Sequence, residues 1–181
     1  MRTDLASPLD FLDLYPLPST YKIAFTIPGV PVAKGRPKFS TRHGVMRTHT
    51  PKKTMDFERE TRLVAMNAMH ALGNLQPCAC SLQMSMVAFV PIPASWSKQK
   101  RAAALAGLLH PVSRPDLDNY EKAVTDALNG VVFEDDSQIC DVIKSKRYGE
   151  NPRIVLEFWS KDGFNVFRTP KPGKRTKPKA A

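Results

Sequence analysis

Arg114-Pro115-Asp116-Leu117-Asp118-Asn119-Tyr120-Glu121-Lys122-Ala123-Val124-Thr125-Asp126-Ala127-Leu128 gathers three aspartates, an asparagine and a lysine into one short stretch. Pro115 biases Arg114 toward extended backbone, and from Leu117 onward the apolar residues follow a helical period. Leu117, Tyr120, Val124, Ala127 and Leu128 fall on one side of that helix. At about 100° per residue, Asp118, Lys122 and Asp126 stack along the opposite side, with Asn119 beside them. The core-facing stripe is complete without the charged residues, which are left to face water or to line a cleft. As a solvated face, Asp118 and Lys122 would form an i, i+4 pair worth about 0.3 kcal/mol, and Asp116 would serve as an N-cap.

A local nest of carboxylates stands out because the chain around it is basic. Its 181 residues carry 27 Lys+Arg against 17 Asp+Glu, a formal charge of +10, with a pI near 9.7. That balance points to a polyanionic partner, nucleic acid ahead of a membrane surface. The length suits one domain with a real core, and 42% hydrophobic and 24% charged residues are ordinary for a soluble globular protein. No apolar run approaches the ~20 residues needed to cross a bilayer. Met1-Arg2-Thr3-Asp4 does not lead into the apolar stretch of a secretory signal. Three cysteines build no disulfide framework. Cys78 and Cys80 lack a second ligand pair for zinc, so reduced thiols in a cytoplasmic protein are expected.

Working outward from the acidic stretch, the elements alternate between strands and helices. Residues 1–20 form an arm, or a short helix, of unknown role. Tyr21 to Ile27 alternates and ends at Pro28-Gly29, the pattern of a first strand. Val32 to Thr50 is basic and turn-rich, with His43-Gly44 placed to turn a hairpin between Lys38–Thr41 and Val45–Thr48. Its Lys34, Arg36, Lys38, Arg42 and Arg47 either lie along phosphates or decorate a solvated loop. Thr50-Pro51 reads as N-cap and first position of a helix that ends at Gly73-Asn74. Leu82 to Val90 reads as a second strand, with Met84, Met86 and Ala88 on one face and Val87 and Phe89 on the other. A helix from Lys98 to about Leu109 follows. The positive charges of Lys98, Lys100 and Arg101 in its first turn oppose the helix dipole unless a phosphate sits there. Ile139–Lys146 and Ile154–Trp159 read as the last strands. From residue 161 to 181 the chain loses periodicity and gains Lys171, Lys174, Arg175, Lys177 and Lys179 among prolines, a basic and disordered tail.

Asp116 and Asp118 share the helix entrance, where two short carboxylates can converge. Asp135-Asp136 follows the turn signal Asn129-Gly130, and in extended backbone only one of that pair would aim at the same point. A hard cation such as Mg²⁺ takes a few carboxylates, several waters and substrate phosphate oxygens, and Lys122 would stabilise charge on a phosphorane. An EF-hand calcium loop is excluded, since Glu121 stands where that loop needs glycine and Ala127 where it needs glutamate.

Arg114-Pro115-Asp116-Leu117-Asp118-Asn119, Lys122, Asp126-Ala127-Leu128 and Glu134-Asp135-Asp136-Ser137-Gln138 resemble the RusA family of Holliday junction resolvases. Lys34-Gly35-Arg36-Pro37, Ser95-Trp96-Ser97-Lys98 and Lys146-Arg147-Tyr148-Gly149-Glu150-Asn151-Pro152 resemble stretches of its phage and prophage members, so that the likeness runs from about Tyr21 to Phe158. The resemblance implies a mixed α+β fold over residues 21–160, a small sheet with helices packed on it, in a homodimer. It implies an endonuclease that nicks four-way DNA junctions symmetrically with Mg²⁺, or Mn²⁺ in its place. Carried over by motif, the catalytic residues are Asp116, Asp118, Lys122 and Asp136, and the three aspartates are the metal ligands. Lys34, Arg36, Lys38, Arg42, Arg47, Lys98, Lys100, Arg101 and Arg114 are the candidate DNA contacts. Two other readings of the same residues are a non-catalytic DNA-binding protein and a general Mg²⁺-dependent nuclease without junction preference.

Overall fold

The computed structural model describes residues 22–36, 38–42, 45–73 and 76–160, with the hairpin strands given by their backbone course. The elements run β1 (Lys22–Pro28), β2 (Lys38–Arg42), β3 (Val45–His49), α1 (Lys52–Ala71), β4 (Leu82–Pro91), α2 (Lys98–Leu105), α3 (Leu117–Leu128), β5 (Ile139–Gly149) and β6 (Arg153–Ser160). A 3-10 turn, Asp136–Gln138, precedes β5. β2 and β3 pair as the expected antiparallel hairpin. The other four strands form one mixed sheet in the order β1-β6-β4-β5, antiparallel except for the β4–β5 pair.

Strand alternation decides which side of the sheet is buried. Ile23 and Ile27 of β1, Met84 and Met86 of β4, and Ile154, Leu156 and Phe158 of β6 are all at most 1% exposed. They share one face by register, and α1 lies against it beside β1 and α3. Helix α1 contributes Phe57, Thr61, Ala65 and Met69 at successive turns, and α3 contributes Tyr120, Ala123, Val124 and Leu128. Phe133 then closes the core against Phe158, ring centroids 5.9 Å apart.

The parallel pair matters most for function. Parallel neighbours cannot be joined by a tight turn and need a long crossover. Here that crossover holds α2, α3 and the whole acidic stretch, so the sheet presents them at its β5 side. Lys144 and Lys146 lie two residues apart on β5, on its helix-facing side. They tie the crossover down: Lys144 pairs with Glu121 of α3, and Lys146 reaches the loop before α3.

The mixed α+β architecture is as expected, with adjusted limits. Helix α1 starts at Lys52 with Pro51 as its N-cap, one residue later than Thr50-Pro51 suggested. The Pro51 carbonyl accepts from the amides of Thr54 and Met55, so proline sits outside the helix. Helix α2 ends at Leu105, short of Leu109, because Gly107 takes φ +75° and turns the chain away. Strand β5 runs on past Lys146 to Gly149, pairing with β4 up to Pro91. The N-terminal arm and the basic tail lie outside the described residues.

Candidate active site

Helix α3 is amphipathic as its spacing requires: Tyr120, Ala123, Val124, Thr125, Ala127 and Leu128 are buried while Asp116, Asp118 and Lys122 are exposed. Asp116 occupies the N-cap position in extended backbone, yet its side chain caps nothing. Its carboxylate therefore remains available beside that of Asp118 in the first turn. Both sit at the helix end where the free amides and the macrodipole favour negative charge. The backbone leading into them is held from below. The Lys146 ammonium donates to the Ser113 carbonyl at 2.7 Å and to the Pro115 carbonyl at 2.9 Å.

Lys122 does not pair with Asp118. Its ammonium lies 3.5 Å from Asp126, one turn in the other direction, and it is 63% exposed, so it can swing toward a ligand. Asp126 is mainly occupied by Lys34, whose ammonium stands 2.6 Å from Asp126 and 2.6 Å from Glu58 of α1. The Lys34 amide also donates to the Asn119 carbonyl at 2.8 Å. Burial works against the Lys34 charge, but the hydrogen bonds to Asp126 and Glu58 outweigh it and hold its pKa above the usual lysine range. Lys34 is thus a clamp between α1 and α3, and its ammonium is committed inside the protein, not offered to DNA as expected. The next residue shows why the chain can come so close. A Cβ on Gly35 would lie 2.9 Å from both Pro51 Cγ and Thr54 Oγ1, so only glycine fits against α1.

Replacing Lys34 by methionine leaves Glu58 and Asp126 facing each other without a cation. The Lys34→Met variant should lose about 1–3 kcal/mol in urea unfolding near neutral pH. Because the Lys34 pKa is held above the usual lysine range, the clamp's contribution is fully present near neutral pH and is lost as the pH rises past that range. The difference from the unmodified protein should therefore shrink in alkaline unfolding, and a loss that persists there would point to packing instead.

The Asp135-Asp136 pair is divided by local structure. The Asp135 carboxylate accepts from the Ser137 amide at 3.0 Å, and the Gln138 side chain accepts from the Asp135 amide at 2.9 Å, a capping box around the 3-10 turn. The hydrogen bonds from Ser137 hold the Asp135 pKa below the ordinary aspartate value. Gln138 also donates to the carbonyls of Cys78 and Cys80, which anchors the turn at the start of β4. Asp136 is left as the member of the pair without a capping role.

The three aspartates do not meet within one chain. Asp136 adjoins the start of β5, where Ile139 pairs with Leu82. Asp116 adjoins Lys146, seven residues farther along, or about 23 Å of strand at ~3.3 Å per residue. Among the described residues no three His, Cys, Asp or Glu side chains converge to hold a metal ion. α3 runs back along β5, so the turn at Asn129-Gly130 leads Asp136 to the start of that strand, at the end away from the Lys146 contacts. What remains together is Asp116 and Asp118, and two carboxylates with open solvent fit Mg²⁺, which keeps several waters and binds phosphate oxygens.

Of the basic candidates, Arg36, Arg114, Lys98 and Lys100 are exposed. Lys100 lies over the Trp96 ring at 4.1 Å, and Arg101 donates to the Pro93 carbonyl at 3.4 Å. Ser97 already caps α2 by accepting from the Lys100 amide, so that helix end is less open to a phosphate than its charge suggests. Backbone places Lys38, Arg42 and Arg47 on the β2–β3 hairpin. The sequence alone assigns no site role to Lys146, Lys144 or Glu121. The i, i+2 spacing of Lys144 and Lys146 on β5 marks a common face, but nothing local names α3 as what that face meets.

No helix among the described residues is long and apolar enough to cross a membrane. Residues 28–158 match the family model described as "Endodeoxyribonuclease RusA". The chain is also 40% identical over 134 residues to the Bacillus subtilis (strain 168) protein described as "Uncharacterized protein YqaN", covering 74% of this chain and 93% of that relative. With a match that runs from the end of β1 into β6 and takes in the acidic crossover helix, the chain belongs to the RusA endodeoxyribonuclease family.

Proposed function

We propose that the protein is a Mg²⁺-dependent, structure-selective endonuclease that resolves four-way DNA junctions as a homodimer. The observation that carries this reading is the pair Asp116 and Asp118, uncommitted at the N-terminus of α3 within a +10 chain of an endodeoxyribonuclease family. Carboxylates left exposed in a basic chain repel DNA unless a cation lies between them and a phosphate. Asp116 and Asp118 would hold that cation. When bound it supplies Lewis-acid stabilisation of the phosphoryl oxygens and a nucleophile at neutral pH. Lys122, free to swing from Asp126, adds positive charge where the phosphorane develops. Lys146 acts as a positioning residue by fixing the loop that carries Asp116.

The separation of Asp136 favours a site completed by a second copy of the chain. A junction cut by paired nicks has two-fold symmetry, and a two-fold dimer presents two identical sites. In such a dimer Asp136 of one chain can approach Asp116 and Asp118 of the other. The sheet face turned away from α1 and α3 supports pairing. It carries Val87, Phe89 and Val155, and buries Arg147 Nε and Glu157 Oε2 without a hydrogen-bond partner. Buried polar atoms are rarely left unpaired, and a facing subunit would supply the missing groups.

The test is nicking of a labelled four-way junction beside linear duplex of the same sequence, in Mg²⁺ and in EDTA. Symmetric nicks in the junction with Mg²⁺, and none in EDTA, are expected. Equal cutting of the duplex would leave a general nuclease, and no cutting with any divalent metal would leave a DNA-binding protein.

A further inference from the structure

Immediately beside the acidic helix lies a cleft of about 530 Å³ that neither the carboxylates nor the fold accounts for. Its size falls within the range of small-ligand pockets. The lining includes six prolines, Val30, Val32, Val90 and two tyrosines, Tyr120 and Tyr148. Three cations, Lys53, Arg114 and Lys146, belong to the same wall, and no Asp or Glu does. Ser113, Arg114 and Pro115 form one side of the cleft and run directly into Asp116.

This chemistry narrows the occupant. Proline has no N–H, so walls this rich in it offer few backbone donors to a peptide. They suit a flat apolar body, and Lys53 and Arg114, with no carboxylate in the lining against them, suit an anion attached to it. A nucleotide has both parts. Tyr148 is built as a stacking platform: Trp96 packs against it edge to face, centroids 5.1 Å apart at 63°, and Lys100 covers Trp96. That support fixes the Tyr148 ring before any ligand arrives. Tyr120, 3% exposed, forms part of the wall from α3. Its phenol hydroxyl is a donor and an acceptor that a base edge can use.

We propose that this cleft receives one unstacked nucleobase from the DNA strand whose phosphate lies at Asp116 and Asp118. The inference rests on the nuclease reading and deepens it, since a base held next to the scissile phosphate selects both the open branch point and the local sequence. Paired duplex bases cannot enter, whereas a base at a branch point leaves its stack at less cost. Stacking on an aromatic ring accepts any base, while Tyr120 and Ser113 can discriminate among base edges.

The experiment places 2-aminopurine in turn at each position flanking the branch of a four-way junction and records fluorescence with the full chain in EDTA. One position per strand should change several-fold in intensity on binding, and the same position in linear duplex should not. Tyr148→Ala should abolish the change and weaken junction binding about tenfold, the worth of one base–aromatic stack. Ser113→Leu, at an exposed position on the cleft wall, should abolish it without touching the core, and Tyr148→Phe should retain it. Nicking in Mg²⁺ is scored separately. A chain that nicks junctions but shows no responsive position, or Tyr148→Ala and Ser113→Leu variants that keep the full response, would overturn the base pocket alone. A chain that neither binds nor nicks junctions would overturn the nuclease reading and the pocket with it.

Discussion

Asp118→Asn should lower the rate of junction nicking by about 10²–10³-fold or more while leaving the fold and the junction affinity intact. The side chain is exposed in the first turn of α3, and neither Lys122 nor any core residue depends on it. Asparagine keeps its size and one oxygen but removes a charge that holds a cation. It also removes repulsion toward the phosphate, so binding in EDTA should be unchanged or tighter. Gel-shift affinity, single-turnover nicking and urea unfolding on one preparation separate the outcomes. If unfolding shifts along with activity, the aspartate has a structural task, and the non-catalytic reading gains. Retained nicking would remove Asp118 from the site.

Mixing two inactive variants should restore activity, because the topology puts Asp136 far from Asp116 and Asp118 in the same chain. Asp118→Asn and Asp136→Asn are each expected to lose at least about 10²-fold. In a mixed dimer with sites shared between chains, one site carries both substitutions and the other carries none. Random exchange makes about half of the dimers mixed, by two-fold combinatorics, so nicking at single sites should recover to roughly a quarter of the unmodified rate. Paired nicking should stay low, since each mixed dimer owns one intact site. No recovery after verified subunit exchange would mean that Asp136 acts within its own chain or not at all. The Asp135→Asn variant serves as a contrast: it weakens the capping box around the 3-10 turn and should leave nicking within a few-fold of the unmodified rate.

These expectations show how far the residues speak for themselves. Period and punctuation were enough for α3, for the alternating face of β4 and for the β2–β3 hairpin, because each is set by neighbours in the chain. The helical count separated the core stripe Tyr120, Val124, Leu128 from the charged side, and the structure buries that stripe. Element ends were less legible: Pro51 proved to be a cap, and Gly107 stopped α2 early through its positive φ. The acidic pair at 135–136 was ambiguous by alternation alone, and hydrogen bonds from Ser137 and to Gln138 distinguish its members.

By itself, then, the sequence determined the elements, the family resemblance and the identity of the free acids at the helix entrance. These rest on local spacing and on charge, which a linear reading contains. Only the tertiary structure decided what those acids neighbour. Lys34 looked like a phosphate contact because a basic loop reads the same whether it faces DNA or two carboxylates from separate helices. Asp136 looked close to Asp116 because sequence distance says nothing about which way α3 runs along β5. The partners of Lys146 and the cleft under Tyr148 depend on a parallel strand pair and a crossover, and long-range pairing of that kind has no local signature.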